Sequence, residues 1–458
     1  METDVVVIGG GATGTGVAWD LTLRGLRVTL VDMGDVATGT SGRYHGQLHA
    51  GCRYVTSDLT LAKECWQEHK TIRKIVPHAV EDTGGMFVLP PSDDEGFVGN
   101  WLRGCEAVGI PVQEIPSSES LRREPLIHPG TKRAFLVPDA SCDSLALCGA
   151  LRESAEAQGA TFLTYHRVDG FHREEGRVGG LRTTDLRTGE TEDVRASFVV
   201  NAAGPWAAEV GKMAGVEFRM VLSRGAMLAF NGRWTTSIVS RLRQPGDGDI
   251  FVPLGYVGVA GTTSVPTEDP GDIRIEDWER ERVLAEVEMF LPGIRRGKIL
   301  RAWAGVRPLY DPATQSSSAE DTHVDNRKAT RTFNVLDHAA RDGVEGIVSI
   351  VGGKLTTFRL MAEKTADAVC SKLGVDQPCA TTTTGIAPAP AWGARGDSPD
   401  EGGGILGDPR GLPSAPTAGG GSLSQSPAKG GDERRRATAG ASQRAGCSDA
   451  DGDGHKDR

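Results

Sequence analysis

Six residues near the start of the chain, Gly9-Gly10-Gly11-Ala12-Thr13-Gly14, constrain its fold more than any other feature. They follow a short β-branched run, Asp4 to Ile8, and open a helix-like stretch from Thr13 to Arg24 that Gly25 stops. Gly9, Gly11 and Gly14 satisfy the fingerprint of a dinucleotide site. The first permits the tight turn, the second lets backbone approach a pyrophosphate, and the third lets the helix pack close to the strand. The helix N-terminus, at Ala12 and Thr13, offers N–H groups to the phosphates. A second strand, Arg27 to Val31, leads to Asp32, 21 residues after Gly11. A carboxylate there accepts hydrogen bonds from ribose hydroxyls and repels a 2′-phosphate.

Further strand and helix signals alternate downstream. Leu61, Cys65, Ile72, Ile75 and Val76 share a helix face that ends near Pro77, and Val283, Leu284, Val287, Phe290 and Leu291 make an apolar stripe closed by Pro292. Phe198 to Val200 and Ile347 to Val351 read as buried strands. Between about 224 and 265 the strands Ala226–Phe230, Ile250–Pro253 and Tyr256–Ala260 have no helices between them, which predicts an antiparallel sheet. From Ile386 on, the glycine-rich composition lacks any apolar period and reads as a disordered tail.

Other classes are excluded by charge and cysteine usage. The balance of 51 basic and 61 acidic residues, net −10, argues against a nucleic-acid binder. Eight cysteines without a Cys-x-x-Cys pair suggest neither a disulfide scaffold nor a zinc or iron–sulfur site, so no metal is expected. No apolar run approaches a membrane span, and the first strand leaves no room for a signal peptide. The expectation is a reduced cytoplasmic protein.

A plain nicotinamide enzyme completes a contiguous nucleotide domain. Here the later pieces fall near 198–210 and 347–370, which suits an extended FAD buried along an interrupted domain. Asn201-Ala202-Ala203-Gly204-Pro205-Trp206 supports this, because a strand ending in small residues at Ala203 and Gly204 lets backbone lie against the cofactor. The predicted architecture is α/β. A discontinuous Rossmann-like FAD-binding domain (1–85, 145–223 and 300–385) carries an inserted antiparallel-sheet substrate domain (86–144 and 224–299) and a low-complexity tail (386–458).

Thr40-Ser41-Gly42-Arg43-Tyr44-His45-Gly46-Gln47-Leu48-His49-Ala50-Gly51-Cys52-Arg53-Tyr54 carries a family likeness. With Gly261-Thr262-Thr263, Gly305-Val306-Arg307-Pro308-Leu309, Leu336-Asp337-His338-Ala339 and Gly352-Gly353-Lys354-Leu355-Thr356-Thr357, it resembles the FAD-dependent glycerol-3-phosphate dehydrogenases of the D-amino-acid-oxidase-like superfamily. The nearest branch is the large subunit of the anaerobic, quinone-linked enzyme, over residues 1 to about 385. That branch commonly continues into a cysteine-rich module for an iron–sulfur cluster; after 385 this chain has Cys447 alone.

The resemblance implies oxidation of sn-glycerol 3-phosphate to dihydroxyacetone phosphate. It further implies partner subunits that carry electrons to membrane quinone, and hence peripheral association with the inner face of the cell membrane. The dianionic substrate needs cations, and Arg307 is the first candidate, with Arg53 and Lys354 beside it. Tyr54 either bonds substrate or packs. A histidine of near-neutral pKa suits the general base, which makes His49 the candidate and His45 its alternative. Thr40, Ser41, Gly46 and Leu48 are expected to contact the cofactor, and Val168 matches a strand whose backbone meets adenine. Gly352, Gly353, Lys354, Leu355 and Thr356 lead into a helix whose N-terminus faces the pyrimidine edge of the flavin and stabilises its reduced form. Two other functions fit the same fold: an FAD-dependent oxidase of amino or 2-hydroxy acids, and a catalytically idle FAD-binding subunit.

Overall fold

A computed structural model describes residues 1–312 and 332–388 of the chain. The first strand, Glu2–Ile8, runs parallel to Val28–Asp32 on one side and to Thr191–Asn201 on the other. Thr161–Thr164 extends the parallel sheet beyond Val28–Asp32, and Ile347–Gly352 extends it beyond the C-terminal half of Thr191–Asn201. The hairpin His166–Glu174 and Arg177–Asp185 pairs antiparallel with the N-terminal half of Thr191–Asn201. Phe333–Asp337 closes the other edge, antiparallel to Ile347–Gly352.

Both faces of the first strand are covered, which is why it reads as an unbroken apolar run. Val5 and Val7 join a core with residues of the helices Ala12–Leu23, Ser144–Ala157 and Phe358–Leu373. Val6 and Ile8, pointing the opposite way, pack with Val178, Leu181, Ala214 and Val216.

A second, nine-stranded sheet is antiparallel except where Ile238–Arg241 pairs parallel with Gly85–Leu89. Its spine is Val221–Asn231, flanked by Val257–Gly261 and Ile299–Leu309. The helix Asp277–Glu288 packs Val283, Leu284 and Val287 against it, tied by the buried Arg224 to Asp272 at 2.8 Å and Glu279 at 2.7 Å. The described residues belong to one compact unit that includes both sheets.

Two expected boundaries change. Ile299–Leu309, placed by sequence in the 300–385 nucleotide piece, lies in the second sheet, because its length matches Val221–Asn231 strand for strand. Ile386, taken as the start of the tail, is 4 % exposed and donates its N–H to the Ile75 carbonyl at 2.7 Å. The expectation of disorder from 389 on lies outside the described residues.

Candidate functional site

The loops at the C-terminal ends of the parallel strands form the candidate site, as expected for an open α/β sheet. Gly9 has φ +109°, and a Cβ on it would stand 2.5 Å from the Ala202 carbonyl oxygen. A Cβ on Gly14 would stand 1.8 Å from the Gly9 carbonyl oxygen. Gly11 abuts the Ser41 hydroxyl, which accepts the Ala12 N–H at 2.9 Å. Thr13 follows on the first turn, its hydroxyl 3.9 Å from the Met361 sulfur. Asp32 accepts the N–H groups of Gly10 at 2.6 Å and Gly34 at 2.7 Å, while burial raises its carboxyl above the usual range.

The strand Thr191–Asn201 ends beside this loop, where Gly9 meets the Ala202 carbonyl. Ala203 donates its N–H to Asn201 Oδ1 at 3.3 Å, and Gly204 takes φ +58°. Asn201 Nδ2 donates to Ser349 Oγ at 3.1 Å, and His338 bridges Ser349 at 2.8 Å and Asp342 at 2.6 Å. That serine–histidine–aspartate row looks nucleophilic, yet Ser349 and His338 are both fully buried, so it braces two strand ends. Val168 is half-buried on the hairpin and packs beside Val6, Ile8 and Val31.

The segment carrying the family likeness is clamped from several sides. The Thr40 hydroxyl donates to the Val306 carbonyl at 2.6 Å, joining Thr40–Arg43 to the strand that bears Arg307. Gly46, at φ +92°, lies against Leu254 of the second sheet. Gln47–Leu48 pairs with Ala140–Cys142, and the Leu48 carbonyl accepts from His69 Nδ1 at 3.2 Å. Burial pushes His69 down to about 4, so it is neutral. The His49 N–H donates to Thr356 Oγ1 at 3.2 Å. Behind Thr356, a buried pair between Glu68 and Arg359, at 2.6 and 2.7 Å, ties the helix Leu59–Ile75 to Phe358–Leu373.

The polar and aromatic side chains form a row. His45 and His49 meet edge to face at 5.5 Å between ring centroids, and His49 meets Tyr54 at 5.4 Å. Lys354 Nζ lies 3.3 Å from the Tyr54 ring centroid, a cation–π contact. It is buried and has no hydrogen-bond partner among the described residues. Its charge acts on Glu64 and Cys65 of the neighbouring helix. Gly352 and Gly353, at φ +79° and +73°, turn the chain out of its strand into Lys354. The helix expected beyond this turn runs over Phe358–Leu373, joined to Lys354 by a 3-10 turn, Leu355–Thr357, in which the Thr357 hydroxyl folds back to accept the Lys354 N–H at 3.3 Å.

Arg307 projects from Ile299–Leu309 opposite Ser223. Its guanidinium donates to Thr262 Oγ1 at 2.6 Å, the Thr263 carbonyl at 3.0 Å and Ser223 Oγ at 3.4 Å. Gly225 makes room for it, since a Cβ there would lie 2.3 Å from Nη2. Arg53 turns instead toward the Gly246 carbonyl at 3.3 Å and the buried Asp249 carboxylate at 3.1 Å, which Arg243 also holds at 2.6 Å. Sequence reasoning missed Asp249, 196 residues from Arg53, and the glycine that seats Arg307.

These features fit FAD on two counts. The Gly9–Gly14 cradle has backbone where any side chain would intrude, and the buried Lys354 ammonium lacks an acceptor where the flavin's electron-rich edge is expected.

Comparison with known proteins agrees. Residues 4–359 match the model of the FAD dependent oxidoreductase family, DAO. The chain is 42 % identical over 386 residues to the A1 subunit of anaerobic glycerol-3-phosphate dehydrogenase of Haloferax volcanii, covering 82 % of this chain and 65 % of that one. It is 41 % identical over 382 residues to the corresponding subunit of the Escherichia coli enzyme, covering 83 % and 69 %. The chain thus spans about two thirds of the length of these relatives. Among solved structures, glycerol-3-phosphate dehydrogenase from Bacillus halodurans complexed with FAD superposes with a TM-score of 0.65 at 26 % identity, over 85 % of this chain and 68 % of that one. With its glycine cradle, its strand-end site and a family match across most of its length, the chain belongs to the FAD-dependent oxidoreductases of the DAO family.

Proposed function

We propose that this chain oxidises sn-glycerol 3-phosphate to dihydroxyacetone phosphate, the electrons passing through partner subunits to a quinone pool at the inner face of the cell membrane. The observation that carries the reading is Lys354. A buried ammonium without a hydrogen-bond acceptor is costly unless a bound anionic or electron-rich group completes it. It sits on the Tyr54 ring that also meets His49. The two close relatives act, by name, on glycerol 3-phosphate.

FAD, when bound, supplies the acceptor for the hydride leaving the carbinol carbon. His49 takes the hydroxyl proton on a ring nitrogen. His45 is the less available of the two, because its Nδ1 lone pair already accepts the Gln47 N–H at 3.1 Å and protonation would break that bond. Arg307 binds the phosphate, its planar fork matching two oxygens. Arg53 contributes less charge, since Asp249 already offsets it. Gly9, Gly11, Gly14, Ala12 and Thr13 hold the pyrophosphate, Asp32 the ribose, and Val168 the adenine. Ala203, Gly204 and the Gly352–Thr356 turn hold the rest of the cofactor.

Anaerobic titration of the purified chain, followed at the flavin absorbance band, tests this directly. Glycerol 3-phosphate should bleach the band at concentrations where lactate, 2-hydroxyglutarate and glycine do not. Bleaching by one of those acids instead would replace the proposal with an oxidase of amino or 2-hydroxy acids.

Two variants probe the cations separately. Gly225→Ala should push the Arg307 guanidinium aside, since the clash is with the end of a flexible side chain and not with backbone. The concentration of glycerol 3-phosphate for half-maximal bleaching is expected to rise about tenfold, or ~1.4 kcal/mol, with the melting temperature nearly unchanged. An unaltered half-saturation point would remove Arg307 as the anchor. Lys354→Met should lower the two-electron flavin potential by about 30–60 mV, corresponding to about 1.4–2.8 kcal/mol of lost stabilisation of the reduced ring. Redox titration against a dye checks it; an unchanged potential in FAD-loaded protein defeats the assignment.

A further inference from the structure

Asp139 lies between the strands Arg133–Val137 and Ala140–Cys142, and is 3 % exposed. Gln47 pairs with Ser141 and Leu48 with Ala140, so the same register carried one residue further sets His49 opposite Asp139. There the ladder stops and a side chain takes over. Asp139 Oδ1 accepts the Ala50 N–H at 2.6 Å, and Oδ2 accepts Gln47 Nε2 at 3.0 Å. Gly85 leaves the space, since a Cβ there would stand 2.9 Å from the Asp139 Cβ. His49 is therefore held on consecutive amides: its own N–H by Thr356 and the next by Asp139.

We propose that Asp139 is a positioning residue for the base: its carboxylate, bonded to the Ala50 amide and the Gln47 side chain, fixes the Gln47–Ala50 segment against the Lys354–Thr356 turn and, by its charge, raises the basicity of His49. This rests on the reading of His49 as the proton acceptor.

The electrostatics agree with the geometry. Burial lifts the Asp139 carboxyl from 3.8 to about 6, opposed only by its two hydrogen bonds; no cation contributes. Its charge acts on the buried thiols Cys52 and Cys65, both pushed up by burial and neutral near pH 7, while His69, beside the Pro138 backbone, is pushed down to about 4. The Lys354 charge reaches this cluster through Cys65 and Glu64. At pH 7.5 Asp139 is ionised, so an unbalanced charge is buried directly beneath the segment that presents His49. Because the carboxyl is raised, its contribution to stability is complete below pH ~4 and is lost as pH rises through about 6. A residue that merely held the fold together would do so better uncharged.

Asp139→Asn is the test. Asparagine keeps a carbonyl for Ala50, and its amide can donate to Gln47 Oε1, a buried atom with no partner in the native arrangement, once that side chain turns over. The variant should bind FAD and melt higher than the parent at pH 8 but not at pH 4. Flavin reduction at saturating glycerol 3-phosphate should slow at least tenfold at pH 7.5, with half-saturation within twofold. Carbon-13 labelling of the histidine rings, with His49 assigned by its loss in His49→Gln, should show its titration midpoint falling by half a unit or more. Gln47→Met, which removes one of the carboxylate's two donors, should move the acid limb of flavin reduction to higher pH. An Asp139→Asn protein with parental rates from pH 5.5 to 8.5, or with an unmoved His49 midpoint, overturns the proposal. If glycerol 3-phosphate fails to bleach even the parent, the functional reading fails separately, and the His49 midpoint still decides the role of Asp139.

Discussion

Replacing His49 by glutamine is expected to slow flavin reduction by glycerol 3-phosphate about 100- to 10,000-fold, the usual worth of a positioned general base. The loss should fall on the limiting rate and leave half-saturation nearly unchanged, because the phosphate end of the substrate is assigned to Arg307. FAD content should stay that of the parent: the backbone N–H of residue 49, which bonds Thr356 Oγ1 at 3.2 Å, survives the substitution. Glutamine can fill the edge-to-face position between His45 and Tyr54 but has no basic lone pair near neutral pH. Stopped-flow bleaching measures the rate. If His49→Gln reduces its flavin at the parental rate while His45→Gln does not, the base is His45, and the Gln47 amide bond on His45 Nδ1 would have to open in each turnover.

The nucleotide half of the fold was legible because its signals are local. A β-branched run, three glycines, a helix stop at Gly25 and an acid at Asp32 occur within 32 residues, and all of them appear where the pattern put them. The second sheet was legible only in its hairpins. Gly85–Leu89 pairs parallel with Ile238–Arg241 across about 150 residues of chain, a pairing that periodicity does not carry. Ile299–Leu309 was drawn to the wrong sheet because Gly305, Val306 and Arg307 signal function more strongly than they signal register.

The candidate site divides in the same way. His49, Tyr54, Lys354 and Arg307 announce themselves by residue type in recognisable segments. Their supports do not. Asp249 under Arg53, Gly225 under Arg307 and Asp139 under Ala50 are ordinary residues in ordinary strands and loops, and only the folded distance gives them a role.

The cradle itself yields the other large effect. Gly14→Ala should abolish FAD retention. The added Cβ would stand 1.8 Å from the Gly9 carbonyl oxygen and 3.0 Å from its carbon, so backbone, not a movable side chain, must yield. Helix Ala12–Leu23 is buried nearly all round, against Phe358 and Ala362 at Gly16, and cannot simply back away. The strain is of the overpacking kind, about 1–3 kcal/mol. Displacing the loop amides from the phosphates also weakens hydrogen bonds to a charged group, each worth about 1.5–3 kcal/mol. Gly25→Ala is the matched control, because Gly25 has φ +84° but nothing within 4 Å of an added Cβ. It should lose about 1 kcal/mol of stability and keep its flavin. The ratio of flavin to protein absorbance after gel filtration reads both. Gly14→Ala protein should elute colourless and gain thermal stability as free FAD is added, since ligand binding to the native state is returned by mass action. Yellow Gly14→Ala protein at full stoichiometry would mean that the close approach of helix to strand at residue 14 is not what holds the pyrophosphate.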